Sequence, residues 1–200
     1  MPTLGITGGI ATGKSSFTKL LAAQLAATVF DADASVKDLL DHNSEVRSQV
    51  RATFGEQAFM DDGKVNRTFL RENVFSNSEK KRKLEQILHP LVRQRWMGLA
   101  AQSRKPDEWL LLDIPLLYET TAEQHLDKVV VVACDGSTQQ ARLLTDRKLD
   151  AGTAKKIIAT QMDLGVKISK ADHVVWNGGS HDALARQAGM LANFLATPHG

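Results

Sequence analysis

Five short apolar runs are spaced along the chain, and longer stretches with helical periodicity separate them. The runs are Leu4–Thr7, Thr28–Phe30, Trp109–Asp113, Lys128–Ala133 and His173–Trp176. Runs that stay apolar, rather than alternate with polar residues, are typical of parallel strands covered on both faces by helices. The pattern therefore predicts an α/β protein with a five-stranded parallel sheet in three layers.

The segment GGIATGKS, residues 8–15, follows the first run and matches the phosphate-binding pattern G-x-x-x-x-G-K-[ST]. Glycines let the backbone curl so that several N–H groups face one anion. Lys14 then places a cation on the β- and γ-phosphates, and the Ser15 hydroxyl ligates Mg²⁺. A helix that begins at Gly13 directs its positive end at the same anion.

We therefore expect a nucleoside triphosphate and Mg²⁺ at this loop. The residues expected to contact the nucleotide are Gly8, Gly9, Ala11, Thr12, Gly13, Lys14, Ser15 and Ser16. The alternative, a glycine-rich turn that binds nothing, is disfavoured by the strand before the loop and by the helical stretch Ser16–Ala27 after it.

Ligands of parallel α/β sheets bind beyond the carboxyl ends of the strands. Polar residues follow the other runs at these positions, namely Asp31-Ala32-Asp33, Asp113-Ile114-Pro115 and Asn177-Gly178-Gly179. Asp113 resembles the carboxylate that supports Mg²⁺ in other phosphate-loop enzymes. These three turns are therefore candidate parts of the same site.

Two intervals between the runs are longer than a crossover requires. Residues 34–107 contain polar helical segments such as Glu79–Ala101 and predict a helical subdomain. Residues 136–170 contain two helices rich in Arg and Lys, Thr138–Leu149 and Thr153–Asp163, with Gly152 between them. We expect the latter to act as a lid that excludes water from bound phosphates. The expected layout is one domain, 1–200, with a core of 1–33, 105–135 and 171–200, a helical acceptor-binding region at 34–104 and a lid at 136–170.

Composition narrows the function classes. The 200 residues carry 25 basic and 23 acidic side chains, so bulk charge does not indicate a nucleic-acid partner, and the run Lys80–Lys83 is interpreted as a solvated helix face. Cys134 is the single cysteine, which excludes a disulfide framework and predicts a packed core residue. No apolar stretch approaches the about 20 residues that span a bilayer, and the first residues lack a signal-peptide pattern. We expect a cytoplasmic protein with no membrane and no evident protein partner.

A kinase fits these features better than a GTPase or a nucleotide-driven switch or ATPase. The chain lacks the Asn-Lys-x-Asp element that reads guanine, and arginine-bearing helices in a lid position suit an enzyme that shields a phosphoryl group. A nucleotide-binding regulator without transfer activity and a nucleoside or nucleotide monophosphate kinase stay open as alternatives.

Seven segments carry a more specific resemblance. They are TGGIATGKS (7–15), FDADASV (30–36), NRTFLRENVF (66–75), LEQILHPLV (84–92), DIPLLYE (113–119), TQQAR (138–142), and AD followed by VVWNGG (171–179). In order and spacing the chain resembles the dephospho-CoA kinase family of P-loop kinases from Leu4 to about Leu195. The resemblance implies that ATP and 3′-dephospho-coenzyme A give ADP and coenzyme A, in the last step of coenzyme A synthesis.

The resemblance also implies roles for individual residues. Asp33 matches the family's catalytic aspartate, which orients the acceptor hydroxyl and accepts its proton, and Lys14 joins it as a catalytic residue; Asp31 is the second choice for the acid. Arg67, His89 and Pro115 fall in the substrate-binding set. Asn177 and Gly178 match the loop that faces adenine, and Ser15 and Asp113 form the metal-binding set. The alternative for His89 is a histidine that packs in the core without binding substrate. Pro90, which follows it, is expected to end or kink the helix.

The lid departs from the family pattern. The family carries two arginines four residues apart, whereas here Arg142 is followed by Asp146 and then Arg147. Five helical steps place Arg147 about 140° away from Arg142, so the two do not share a helix face. Arg142 is therefore the expected nucleotide contact, and Arg147 serves only if the helix ends before it. Lys167 keeps the family spacing. Two interpretations of it stay open, a contact with the phosphates and a solvated lysine.

Overall fold

The computed structural model describes residues 1–102 and 108–197. Its sheet consists of β1 (Thr3–Gly8), β2 (Thr28–Asp31), β3 (Leu110–Asp113), β4 (Lys128–Ala133) and β5 (His173–Trp176). The strand order is β2-β3-β1-β4-β5, and every neighbouring pair is parallel. The predicted five-stranded parallel sheet is confirmed, and each strand lies within two residues of the apolar run that predicted it.

Different parts of the chain cover the two faces of this sheet. On one face, α1 (Lys14–Leu25) and α9 (His181–Ala196) bury a cluster that includes Phe17, Leu21 and Leu184 against Ile6 and Val130. On the other face, a Cβ on Gly5 would lie 2.6 Å from Leu117 and 2.5 Å from Leu126. Gly5 therefore lets these two leucines pack directly onto the central strand.

The chain divides into two compact units, and the first contains the sheet. It comprises residues 1–31 and the chain from Leu99 onward. The expected boundary between residues 104 and 105, and the end of the core segment at residue 200, lie outside the described residues. The assignment of residues 34–104 to the acceptor and of 136–170 to a lid stays a prediction.

The second unit, Ala32–Gly98, is helical. Its helices are α2 (Ala32–His42), α3 (Ser44–Phe54), α4 (Arg67–Ser76) and α5 (Ser78–Ala101, which runs on past the unit's end). The buried residues of α5, Leu88, Val92 and Trp96, recur every four positions and form one apolar stripe. Of the two effects expected at Pro90, a helix end or a kink, the helix end is wrong, because α5 continues through it. Pro90 has no N–H to donate to the carbonyl of Gln86, and both residues are exposed on the helix surface.

The segment 136–170 contains three helices where two were expected. They are α6 (Gly136–Thr145), α7 (Ala151–Ala159) and α8 (Leu164–Lys170). Gly152 does not separate helices, because Asp150 caps α7 by accepting a hydrogen bond from the backbone N–H of Thr153. Helix α6 stops four residues before the expected Leu149. In the described residues, no helix combines the length and apolar character needed to cross a bilayer.

Candidate nucleotide-binding site

The phosphate loop connects the end of β1 at Gly8 to the start of α1 at Lys14. Gly13 caps the helix with φ 87° and Ala11 has φ 59°, so the chain twice enters the left-handed region. A Cβ on Gly8 would overlap the carbonyl oxygen of Val132 on β4, and a Cβ on Gly13 would overlap the side-chain amide of Asn177. The neighbouring backbone at Gly8 and the neighbouring side chain at Gly13 therefore leave no room for a larger residue.

Three consecutive carbonyl groups of the loop accept hydrogen bonds from side chains outside it. The Ile10 oxygen accepts from Gln139 Nε2 at 2.8 Å, and the Ala11 oxygen from Arg142 Nη1 at 3.1 Å. The Thr12 oxygen accepts from Asn177 Nδ2 at 2.8 Å. In a trans peptide the N–H points away from the C=O, so carbonyls held toward these side chains direct the N–H groups of Ala11 and Gly13 the other way. The N–H of Thr12 between them donates to the Gly9 oxygen at 3.4 Å. This arrangement suits an anion.

Lys14 and Asp113, two predicted site residues, meet in the structure. The Lys14 ammonium contacts Oδ1 of Asp113, which lies at the carboxyl end of β3 and is only 6 % exposed. The Thr18 hydroxyl, one turn along α1, donates to Asp113 Oδ2 at 3.3 Å. Ser15 and Ser16 lie exposed on the first turn of the same helix. A cation, a carboxylate and a hydroxyl therefore lie at the beginning of α1.

Pro115 lies within a partly buried polar cluster. Its carbonyl accepts hydrogen bonds from the Thr7 hydroxyl and from Lys167 Nζ, each at 3.0 Å. The Lys167 ammonium also pairs with Glu119 at 3.0 Å, and its side chain is fully buried. The interpretation of Lys167 as a solvated lysine is therefore wrong.

Arg142 binds backbone in this structure. Besides the Ala11 oxygen, its guanidinium donates to the Asn177 oxygen at 3.0 Å and contacts the sulfur of buried Cys134 at 3.9 Å. Burial raises the pKa of the Cys134 thiol, which fits the predicted packed residue. Arg147 is exposed and follows the end of α6 at Thr145. The helix-face objection to Arg147 therefore does not apply.

Asn177 and Gly178 follow β5 as expected. Asn177 is buried, and its backbone N–H donates to the Ala133 oxygen at 2.6 Å, which extends the β4–β5 pairing by one bond. Gly178 is exposed and lies beside the indole of Trp176, whose Nε1 would be 3.2 Å from a Cβ at that position.

Three predicted residues belong to the helical unit. Asp33 is exposed on the first turn of α2. Arg67 begins α4 and pairs with Asp41 at 2.7 Å. His89 is half-buried on α5, and loss of solvation lowers the pKa of its imidazole, so the ring is neutral at pH 7.

Sequence reasoning gave no role to Gln139, which donates a hydrogen bond to the carbonyl of Ile10. Gln139 is buried one helical turn before buried Leu143 on α6. A polar residue on the apolar face of a helix was the available signal, because a buried amide must find partners.

The chain was compared with known proteins. The family model described as dephospho-CoA kinase matches residues 2–182. A dephospho-CoA kinase of Fusobacterium nucleatum is 36% identical over 92% of this chain and 93% of its own length, and one of a Nostoc species is 35% identical over 96% of both.

Solved structures agree with these matches. A dephospho-CoA kinase from Campylobacter jejuni superposes with TM-score 0.72 at 27% identity, covering 97% of this chain and 96% of that one. A shikimate kinase from Acinetobacter baumannii, at TM-score 0.55 and 13% identity over 98% and 93% of the two chains, shares the fold alone. The fold is therefore that of the P-loop kinases, and the chain belongs to the dephospho-CoA kinase family.

Proposed function

We propose that this protein transfers the γ-phosphoryl group of ATP to the ribose 3′-hydroxyl of dephospho-CoA, giving ADP and coenzyme A. Membership of the family makes the chain a kinase of coenzyme A biosynthesis that uses ATP. The observation that carries the proposal is the phosphate loop with Lys14 at its end, in a chain matched by the family over residues 2–182.

Phosphoryl transfer requires mainly positioning and charge neutralisation from the protein. Lys14 follows the loop and supplies a positive charge for the β- and γ-phosphates. Its ammonium contacts Asp113, so phosphate binding exchanges one anionic partner for another. Ser15 and Ser16, which are also expected to contact the nucleotide, lie in the first turn of α1. The N-terminal end of a helix favours an anion.

The residues at the beginning of α1 fit Mg²⁺ in kind. Magnesium prefers oxygen ligands and is usually held by one or two protein oxygens together with substrate phosphates and water. The Ser15 hydroxyl and the Asp113 carboxylate belong to one unit and are of this type. Bound there, Mg²⁺ would neutralise phosphate charge. Among the described residues no group of three His, Cys, Asp or Glu side chains could hold an ion alone, which agrees with a metal that arrives with ATP.

The acceptor roles rest on the family resemblance. Asp33, two residues beyond the end of β2, orients the 3′-hydroxyl and accepts its proton. Arg67 offers its guanidinium to a substrate phosphate in place of Asp41. His89 is neutral at pH 7 and acts as a hydrogen-bonding group for the substrate. Pro115 is a further residue that contacts the substrate.

The adenine roles fall to the residues around the end of β5. Asn177 and Gly178 form the loop that faces the base, and Arg142 lies against the carbonyl oxygen of Asn177. A cytoplasmic location and the absence of nucleic-acid, membrane and protein partners stay predictions from the sequence.

A coupled ADP-release assay with ATP, Mg²⁺ and dephospho-CoA tests the proposal, with coenzyme A identified by mass. Asp33→Asn should lower kcat by about 100-fold or more, the range that a positioned acid or base contributes, while the Kd for ATP stays near that of the wild type. Loss of ATP binding with intact kcat would contradict the role of Asp33.

A panel of acceptors separates the alternatives. A monophosphate kinase phosphorylates a nucleoside monophosphate and leaves dephospho-CoA unchanged. A nucleotide-binding regulator binds ATP but releases ADP no faster when any acceptor is added.

A further inference from the structure

Two glutamine side chains form hydrogen bonds with the backbone of Ile10 in the phosphate loop, one with its N–H and one with its carbonyl. Its N–H donates to Gln161 Oε1 at 2.9 Å, and its carbonyl accepts from Gln139 Nε2 at 2.8 Å. We call this pair of contacts the Ile10 clamp. Both partners lie in one unit of the structure, on either side of α7.

The partners fix how each side-chain amide is oriented. A backbone N–H is satisfied only by an acceptor, so the oxygen of Gln161 faces it. A carbonyl is satisfied only by a donor, so the nitrogen of Gln139 faces it. Gln139 is 5 % exposed, so few water molecules can replace its contact. A Cβ on Gly9 would lie 2.5 Å from Gln139 Nε2, so glycine at position 9 gives the amide its room.

The two contacts set two successive peptide planes. The Ile10 N–H belongs to the peptide with Gly9, and the Ile10 carbonyl belongs to the peptide with Ala11. Each peptide is planar, and neither is cis. Because Gln139 holds the Ile10 carbonyl on its own side, the N–H of Ala11 in the same plane points the opposite way. The clamp therefore sets the direction of an N–H in the middle of the phosphate loop.

We propose that Gln139 and Gln161 are positioning residues that shape the phosphate loop for ATP. The inference deepens the proposed function and rests on it for the identity of the nucleotide. It assigns a second task to the segment 136–170, which was expected only to cover the nucleotide, because both glutamines belong to that segment. Neither side chain touches the reacting atoms; each acts through the backbone of Ile10.

Matched substitutions to glutamate test the clamp. Gln139→Glu removes the donor and sets a carboxylate oxygen against the Ile10 carbonyl, whereas Gln161→Glu keeps an acceptor for the Ile10 N–H. Gln140→Glu is the control, because it adds the same charge to α6 at a position outside the clamp. We expect Gln139→Glu to raise the Kd for ATP about tenfold relative to Gln140→Glu, or about 1.4 kcal/mol of binding free energy, because the Ile10 carbonyl loses the buried donor that holds it. Gln161→Glu should fall between them.

The Kd is measured by titration calorimetry with ATP alone, and the KM for the acceptor should change less than twofold. Equal Kd values for Gln139→Glu and Gln140→Glu would overturn the proposal. ATP binding is read without an acceptor, so a wild type that makes no coenzyme A refutes the function and leaves the clamp testable.

A second readout stands if Gln139→Glu does not fold. Gln161→Met removes the acceptor at a half-buried position, and the amide of Ile10 should then exchange its hydrogen faster in nuclear magnetic resonance spectra. Exchange of the Ile10 amide at the wild-type rate in Gln161→Met would also overturn the proposal.

Discussion

Replacement of Lys167 by Met tests whether the partly buried polar cluster at Pro115 stabilises the protein. The substitution keeps an unbranched side chain in the buried space and removes the ammonium. Two contacts disappear, one to the Pro115 carbonyl and one to Glu119, each at 3.0 Å. Hydrogen bonds to a charged group contribute about 1.5–3 kcal/mol each to stability.

The expected loss is smaller than the sum of these two contacts. Removal of the ammonium relieves the cost of burying it. The Pro115 carbonyl keeps the Thr7 hydroxyl, and Glu119 keeps the backbone N–H of Met162 at 3.0 Å. The Glu119 side chain is also 22% exposed, so water reaches it. We therefore expect a loss of about 2 kcal/mol, below the about 3–5 kcal/mol for breaking a fully buried pair. This corresponds to a fall in Tm of about 4–8 °C.

Urea and thermal unfolding measure the effect, with exposed Lys155→Met on α7 as the control. A surface substitution should stay within about 0.5 kcal/mol of the wild type. Glu119→Gln completes a double-mutant cycle, and a coupling energy of about 1 kcal/mol or more is expected between residues in contact. If Lys167→Met matches Lys155→Met in stability, the reasoning is refuted. If stability is unchanged and kcat falls, Lys167 acts on phosphates instead.

Three further predictions concern the site and the core. Gly13→Ala should weaken ATP binding strongly by calorimetry, because its φ of 87° disfavours a side chain and the new Cβ would overlap the Asn177 amide. Asp113→Asn should lower kcat and raise the Mg²⁺ concentration needed for half-maximal activity, because the metal would lose a carboxylate ligand. Burial raises the pKa of Tyr118, the single tyrosine, from 10.0 to about 12. Ultraviolet titration should therefore show tyrosinate forming later in folded than in unfolded protein, and stability should fall as pH rises from 10 toward 12, where only the unfolded state has lost the proton.

The strands and the phosphate loop were predictable because their signals are local. A strand buried on both faces is apolar along its length, and β4 shows this in its five buried residues from Val129 to Ala133, after the half-buried Lys128. The loop chemistry is likewise contained in the eight residues 8–15. The five-stranded parallel sheet and the loop at its carboxyl edge therefore follow from the sequence.

Helix ends in the segment 136–170 were not predictable in the same way. Residues 146–149 continue a helical pattern, yet Lys148 adopts φ 51° and the N–H of Leu149 turns back to the Leu143 carbonyl. Such a left-handed turn usually falls on glycine or asparagine, so a lysine there gives no signal. Gly152 wrongly indicated a break between two helices, because α7 is capped by Asp150 and already includes Gly152.

The contacts that shape the site were hidden for another reason. Gln139 meets Ile10 across 129 residues, Gln161 meets it across 151, and Lys167 meets Pro115 across 52. No local pattern of one sequence identifies such pairs. A buried polar residue indicates that a hydrogen-bond partner exists, but only the fold shows which residue that partner is.

These long-range contacts bear on how the segment 136–170 can move. Gln139 and Arg142 fasten its beginning to the phosphate loop, and Gln161 fastens it again after α7. Lys167 then holds α8 through its buried contacts with Pro115 and Glu119. Closure of the whole segment as one lid would break all of these contacts, whereas movement of the part between Arg142 and Gln161 breaks none of them. Arg147, beyond the end of α6, lies in that part. The anchors therefore make Arg142 a fixed contact of the loop beside Asn177, and they leave exposed Arg147 in the part of the segment that can move.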